Sequence, residues 1–531
     1  MKDIIKKNKV LLILLSIILL SSVWLITKGM PYAHDIGFHY ARLVGLSTTI
    51  KNGDFLALIH DAFYGYGYAN GIFYGNFYFY IPALINILGI SSMSSFKIFY
   101  LLINIATTLI TYFCAKSIIK DKKTAIITTI LYMFSGYRII DIFVRGAMGE
   151  MLAFMIIPII ILGLYEIVYR DYKKWYLFTI GFVLLLIAHL ITTALIAIFS
   201  LIFIIINYKK LLEDKNRIKY LIISGVVGIL LGAFFLLPIL EQKLYGNISI
   251  FENGSYFQPK DKIVKFIDFL VPRDFFNTHL GFSLILLLPL RIFIRKLKNV
   301  DKDLLKFADI LTILGIIAWI STTSIFPWKL LNNYVEFIQF PWRLLIVATT
   351  FLCFANCIYI KTLIDNKEKN LLKYSYIVIL GCSIIMISLY SVQYGIRKVQ
   401  YHTMTPNEIG GGEYLPATTK EFDIVDAPCI SNNSSIDIEY KSKGTRATIK
   451  YTNNTSDDTF IEIPLFYYLG YGADGANIES GDNGLIRLTN LKESGTIKVS
   501  YKMTTLQKAS HIISLITLIG LTGYIIIERK K

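Results

Sequence analysis

Acidic side chains are scarce in this chain of 531 residues: 37 Asp and Glu stand against 54 Lys and Arg, a formal net charge of +17. Charged residues of both signs make up only 17%, against 54% hydrophobic residues and a mean hydropathy of +0.55. So little polar sequence cannot cover a water-soluble protein of this size, and a soluble enzyme is excluded. Cysteine is equally sparse. Of five, Cys114, Cys353, Cys357 and Cys382 lie in apolar runs and Cys429 stands alone, with neither metal-ligand spacing nor a disulfide framework. Cys353 and Cys357, four apart, share a helix face as small interior residues. No P-loop and no G-x-S-x-G elbow occurs.

What the chain has in abundance is apolar runs. "LLILLSIILLSSVWLIT" and "LIISGVVGILLGAFFLLPIL" match the roughly 20 residues that a helix needs to cross about 30 Å of hydrocarbon. Hydropathy places crossings near 10–27, 96–116, 124–137, 147–168, 175–188, 190–207, 219–239, 279–296, 307–325, 341–360, 374–393 and 510–527. The expected architecture is a polytopic α-helical membrane protein of about eleven to thirteen spans. Segments 124–137 and 175–188 are short and are expected to stop inside the protein. "FYFYIPALINILG", 77–89, is expected to lie at the interface.

The basic residues gather between these runs, in "KSIIKDKK", "YRDYKKW", "NYKKLLEDKNRIK", "RKLKNVDKDLLK", "KTLIDNKEKNLLK" and the terminal "RKK". This is the pattern of cytoplasmic loops, not of a nucleic-acid surface, so no nucleic-acid partner is expected. With both termini cytoplasmic, one orientation fits every loop. Lys2, Lys6, Lys7 and Lys9 precede an apolar core as in a secretory signal, but "SSVWLITKGMPYAHD" has no small-x-small cleavage site, and an uncleaved anchor is expected.

The opposite side would hold 28–95, 240–278 and 394–508. In the last, period-two stretches "SSIDIEYKSKGTRATIKYT" and "GTIKVSYKMT", separated by "YGADGANIESGDNG", read as strands and turns. The expected organisation is a transmembrane domain, 1–393, with a large first extracytoplasmic loop, 28–95. An extracytoplasmic β-sandwich-like domain, 394–508, and a final helix with a basic tail, 509–531, complete it.

Directly after the first span comes "PYAHDIGFHYARLVG", 31–45. If 33–46 is helical, Asp35, His39 and Arg42 fall on one face and His34 points about 100° away. The group reads as a solvated face with a local Asp–Arg pair, as a metal site from His34, Asp35 and His39, or as a catalytic carboxylate with companions. Next, "FYGYGYANGIFYGNFYFY", 63–80, has ten aromatics in eighteen residues, an interfacial belt or a wall for sugar rings with Tyr66 and Tyr68 among its candidates. "YRIIDIFVRGAMGE", 137–150, sets Arg138, Asp141, Arg145 and Glu150 at the outer end of two spans, where charge is costly. Asp141 and Arg145, four apart, could form a structural ion pair. His189 in "LIAHLITT" is an interior residue or a substrate contact. Lys243 follows Pro238 at another helix end, and Glu413 in "GGGEYLP" folds back over the membrane cavity or caps the domain junction.

An acidic residue shortly after the first span, in the first extracytoplasmic loop, is the hallmark of GT-C integral-membrane glycosyltransferases, and "HDIGFHYARL" followed by "GYGYANGIFYGNFYFYIPALINILG" resembles that arrangement. Through "FVRGAMGEMLAF", "AHLITTAL", "QFPWRLL", "GGGEYLP" and "FYYLGYGA" the chain also resembles bacterial membrane proteins labelled 6-pyruvoyl-tetrahydropterin-synthase-related and the neighbouring YfhO-like proteins. Pterin chemistry itself needs a soluble zinc site, and no clustered His ligands occur. The resemblance implies a GT-C-like glycosyltransferase of the bacterial cytoplasmic membrane, moving a sugar from a polyprenyl-phosphate donor to an envelope polysaccharide or glycolipid acceptor. Asp35 would be the catalytic base, oriented by His34, His39 and Arg42. Arg145, then Arg343, Arg138 and Lys243, would bind donor phosphate. Asp35 lacks the adjacent second acidic residue of many such enzymes, so no cofactor is expected and a divalent metal is not favoured. The other classes are a flippase for a lipid-linked saccharide and a non-catalytic membrane assembly protein. Few polar residues at mid-membrane depth and no internal repeat favour the enzyme.

Overall fold

The computed structural model describes residues 2–27, 29–31, 33–254, 257–263, 278–396, 405, 407–419, 429–455 and 458–530. Parts of the expected segments 240–278 and 394–508, namely 264–277, 397–404 and 420–428, lie outside them.

Helix boundaries follow polar caps set between apolar runs. The chain begins with α1 (Lys2–Ser22), and its first loop carries α2 (Ile36–Lys51) and α3 (Tyr80–Ile87). In α4 (Ser92–Ile119) the Ser91 hydroxyl accepts from the Ser94 N–H at 3.2 Å, and in α5 (Lys122–Met133) the Asp121 carboxylate accepts from the Thr124 N–H at 2.7 Å; each satisfies a donor that the helix itself leaves unpaired. α5 is bent by 46° from the next segment, formed by α6 (Gly136–Ile140) and a π-helical turn, Asp141–Arg145. α7 (Met148–Tyr169) is the most enclosed of the early helices. α8 (Tyr176–Ala188) and α9 (Leu190–Ile206) meet at His189, whose extended backbone breaks the helix and whose Nδ1 accepts from the Thr192 N–H at 3.3 Å. α10 (Asn216–Leu231) and α11 (Ala233–Tyr245) are bent by 66° at Gly232. There follow α12 (Lys302–Ile320), the short α13 (Trp328–Val335), α14 (Leu345–Asp365) and α15 (Lys369–Ile396), with α16 (Thr505–Lys530) ending the chain.

Among the described residues six helices are long and apolar enough to cross a membrane, or eight if each bent pair is one span. This is fewer than the expected eleven to thirteen because several apolar runs are divided. Segment 279–296, for instance, splits into helices Phe282–Leu287 and Leu290–Ile294, and α8 ends among buried Leu185, Leu186, Ile187 and Ala188.

The C-terminal part is all β. Strands β1 (Ile430–Ser431), β2 (Ile436–Lys443), β3 (Arg446–Asn453), β4 (Ile461–Phe466), β5 (Tyr471–Asp474), β6 (Asn477–Ser480), β7 (Leu485–Thr489) and β8 (Ser494–Tyr501) form two antiparallel four-stranded sheets. Their orders are β1-β4-β7-β6 and β2-β3-β8-β5. "GYGADG", 470–475, has G-x-G-x-x-G spacing, but it runs into an antiparallel strand with no helix after it and so lacks the context of a dinucleotide loop.

The sandwich does not hang free of the helical part. Its core of Ile449, Ile463, Ile486, Ile497 and Val499 continues into Ile59, Tyr66, Ala69, Ile72 and Phe73 of the first loop. The Phe466 N–H donates to the Tyr66 carbonyl at 2.9 Å and Arg446 donates to the Gly53 carbonyl at 3.1 Å. At the other junction Glu241 accepts from Thr504 and from Gln507, both at 2.9 Å. The first loop, the sandwich and the α11 end therefore share one face of the molecule.

That face should be extracytoplasmic if the charge pattern sets the orientation. In a variant lacking Cys429, single cysteines at exposed Tyr64 or Asp482 should react with an impermeant thiol reagent in intact cells, and one at exposed Leu212 only after lysis. The reverse pattern would invert the topology.

Candidate active site

The site is organised by a glycine. Gly146 sits at φ +60°, and a Cβ there would lie 3.0 Å from the Ala33 and Ile36 Cβ atoms. A bare backbone lets residues 33–36 lie against the π-helical turn, where the His34 N–H donates to the Val144 carbonyl at 3.2 Å and the Asp35 N–H to the Arg145 carbonyl at 2.8 Å. Two successive backbone bonds thus fix Asp35 over Arg145. Its side chain does not cap α2 and bonds to no described residue, and the carboxylate is half-exposed.

Beneath it lies a buried ion network. Arg145 Nη1 is 2.6 Å from Glu150 Oε1, 3.2 Å from Asp141 Oδ1, and donates to the Tyr137 hydroxyl at 2.8 Å. Tyr137 in turn donates to Glu150 Oε2 at 2.7 Å. Arg343 Nε is 3.4 Å from Glu150 Oε1, while its Nη1 donates to the Ile338 carbonyl at 2.9 Å and to Gln339 Oε1 at 2.6 Å. Such charges withstand burial only while each keeps its partner. Glu150 also stands in the first turn of α7, where the helix dipole favours a negative charge. Gly149, just before it, leaves room for the Tyr74 hydroxyl and the His189 ring, which a Cβ would meet at 2.5 and 2.7 Å.

Arg42 has a different task from the one expected. Its guanidinium is sandwiched between the Tyr74 and Phe79 rings, 4.2 and 4.1 Å from their centroids, and Nη2 donates to the Tyr74 and Gly75 carbonyls at 3.1 and 3.0 Å. His39 Nδ1 lies 3.3 Å from Arg42 Nη1, and burial pushes this imidazole well below its ordinary pKa. His39 and Arg42 therefore set the aromatic loop instead of orienting Asp35. His34 is exposed beside it.

The linker to the sandwich closes the top. The Gly410–Gly412 turn wraps the half-buried Glu413, whose carboxyl is pushed up by burial against the pull of backbone hydrogen bonds at Gly411 and Glu413, with smaller opposing effects from the Asp35 and Arg343 charges. Glu413 thus folds back over the helical site. Tyr414 stacks on Phe73 at 4.9 Å between centroids, and its N–H donates to the Tyr68 hydroxyl at 3.2 Å. Glu408 is close enough to Gly37, in the first turn of α2, that any side chain there would collide with its carboxylate.

Residues 72–394, more than half of the chain, match the family described as "6-pyruvoyl-tetrahydropterin synthase related domain; membrane protein". The chain belongs to this family. A relative from Lactococcus lactis subsp. cremoris (strain MG1363), described as an uncharacterized protein, is 24% identical over 341 residues, which cover 60% of this chain and 54% of that protein. The chain thus spans about half the length of the curated relative it matches.

In this member of the pterin-synthase-related membrane family, Asp35, Arg145, Glu150, Arg343, His189 and Glu413 gather at one end of the helices, around Gly146 and Gly149. Arg138 does not join them. It donates to the Met133 carbonyl at 3.0 Å and to Asn104 Oδ1 at 2.6 Å, so it braces α5 and α4 from inside. Lys243 is exposed and sits over Phe251, 5.9 Å from the ring centroid. Tyr66 and Tyr68 are buried under the sandwich, with the Tyr68 hydroxyl donating to the Ile409 carbonyl at 3.2 Å, and present no face to a sugar. His189 is a helix cap bonded to Thr192 at 2.7 Å. Arg145, the first choice for a phosphate, commits its Nη1 to Tyr137, Asp141 and Glu150. Among the described residues no group of three His, Cys, Asp or Glu could hold a metal ion. Tyr137, Tyr74 and Glu408 were not singled out from sequence. The i, i+4 spacing of Asp141 and Arg145 drew the eye from Glu150, whose shorter contact crosses a helix break.

Removing Arg145 should be a stability lesion. Arg145→Ala takes from two buried carboxylates their nearest cation and should cost about 3–5 kcal/mol. Glu150→Gln added to Arg145→Ala should restore more of that loss than Asp141→Asn added to it, as read by thermal unfolding in detergent. Equal rescue would show that Glu150 is not the principal partner.

Proposed function

We propose that this chain is a GT-C-like glycosyltransferase that moves a sugar from a polyprenyl-phosphate donor to an extracytoplasmic acceptor, a cell-envelope polymer or glycolipid. The observation that supports it best is the free Asp35 carboxylate, pinned by its own backbone above an arginine-bearing network at the end of the membrane helices. Asp35 takes the proton of the acceptor hydroxyl while that oxygen attacks the anomeric carbon. The bond from this carbon to the phosphate oxygen breaks, and the electron pair leaves with the lipid phosphate.

Arg343, whose Nε meets Glu150 only at 3.4 Å, faces that growing negative charge, and a planar guanidinium suits phosphate oxygens. Arg145, Tyr137 and Glu150 hold the turn on which Asp35 rests and set the position of Arg343. Asp35 has no second acidic residue beside it in the sequence, so the reading uses a lone base and no metal.

The test is transfer from a synthetic polyprenyl-phosphate sugar by the purified, reconstituted protein. Asp35→Asn keeps shape and removes basicity, and transfer should fall by roughly 100- to 10,000-fold while thermal unfolding stays unchanged. Arg343→Lys should retain part of the activity, since charge is kept and paired geometry is lost. Near wild-type transfer by folded Asp35→Asn would end the catalytic assignment. Inhibition by a chelator, reversed by a divalent metal, would replace the lone-base route with a metal-assisted one.

A further inference from the structure

Between α12 and α14 the chain makes a detour that the network above does not explain. α13 buries Trp328 and Asn332, one turn apart, on one side: the Trp328 indole donates to the Ser321 carbonyl at 2.9 Å and Asn332 Nδ2 to Gln258 Oε1 at 2.8 Å. The other side carries Leu330 and Tyr334, each 80% exposed, followed by Phe337 at 40% in the next turn. These three fall at i, i+4 and i+7, a single apolar row, with exposed Lys329 and Asn333 beside it. The segment leads directly into Pro341–Asp365, a helix long and apolar enough to cross a membrane, which puts the row beside the end of a span, where aromatic and long aliphatic side chains are at home.

The row leads toward two unmet donors. Phe340 and Trp342 stack at 4.5 Å between centroids, and the Arg343 guanidinium lies 5.0 Å from the Phe340 centroid. The Trp342 indole N–H and the Arg343 Nε–H are both buried without a hydrogen-bond acceptor among the described residues; Glu150, 3.4 Å from that Nε, serves as a charge partner only. Arg343 as a whole is only 8% exposed. A buried donor with no acceptor is costly, and two on adjacent residues call for an acceptor from outside the described residues.

We propose that α13 is an interfacial docking helix for a polyprenyl phosphate: the hydrocarbon chain runs along Leu330, Tyr334 and Phe337, and the phosphate accepts from Trp342 Nε1 and Arg343 Nε. This rests on the donor class proposed above. A row one residue wide fits one hydrocarbon chain and not the paired acyl chains of a phospholipid.

The test has two arms on the full-length protein in vesicles, and neither needs transfer. In the first, an environment-sensitive fluorophore is placed on single cysteines at Leu330, Tyr334, Lys329 or Asn333, with lipids bearing a nitroxide near the head group. Quenching at 330 and 334 but not at 329 and 333 is expected; uniform quenching, or none, overturns the interfacial helix. In the second, binding of undecaprenyl phosphate and of phosphatidic acid is measured by native mass spectrometry. Undecaprenyl phosphate should bind selectively, and about tenfold more weakly to Trp342→Phe, which keeps the ring stack, and to Leu330→Gln/Tyr334→Gln, whose residues are exposed. Equal binding of phosphatidic acid, or unchanged affinity in both folded variants, overturns the site. Selective binding with no sugar transfer by the wild type would leave this site standing and remove the glycosyltransferase reading alone.

Discussion

Everything at the candidate site depends on keeping Arg145, Asp141 and Glu150 together where water is absent. An arginine and two carboxylates cannot be buried at the end of membrane helices unless each charge is answered at hydrogen-bonding distance. The 2.6 Å contact to Glu150 and the Tyr137 hydroxyl shared by both partners meet that demand. The price is rigidity. The π-helical turn, the start of α7 and the entry to α14 through Arg343 are fixed relative to one another, and Asp35 is fixed to them through the Arg145 carbonyl. The three partners that hold Arg145 Nη1 make it a foundation for the groups around it.

A second constraint comes from the aromatic loop. Arg42 is held between two rings and two carbonyl oxygens, which gives the loop a rigid centre although it has little regular structure. The sandwich then covers its other side. Loop, linker and β-domain form one packed layer over the helix ends, with Glu413 and Glu408 directed toward the α2 entry.

The membrane character, the β-rich C-terminal part and the importance of 137–150 were legible in the sequence, because hydropathy, period-two alternation and charge at membrane depth are local signals. The failures were of partner. Helical spacing put Asp35, His39 and Arg42 on one face, yet Asp35 is the residue before α2 begins, and a turn at Gly75 brings Arg42 its carbonyl acceptors from more than thirty residues away. Arg138 stood behind Arg145 and Arg343 as a phosphate candidate; Asn104, on another helix, decides that it points inward. Tyr66 and Tyr68 read as an open aromatic surface because nothing local announces that residues near 409 and 466 will cover them.

That long-range cover imposes an order on assembly. Ile59, Tyr66, Ala69, Ile72 and Phe73 belong to a core whose other half, Ile436 through Val499, emerges from the ribosome only after all but the last of the membrane helices. Contacts of such sequence separation close slowly, and exposed aromatic surface is prone to wrong pairings while it waits. The first loop must therefore remain unfinished through most of the chain's synthesis. The site above α2 becomes whole only once the last strand is in place, so a truncated product could insert in the bilayer yet never complete the surface that faces Asp35.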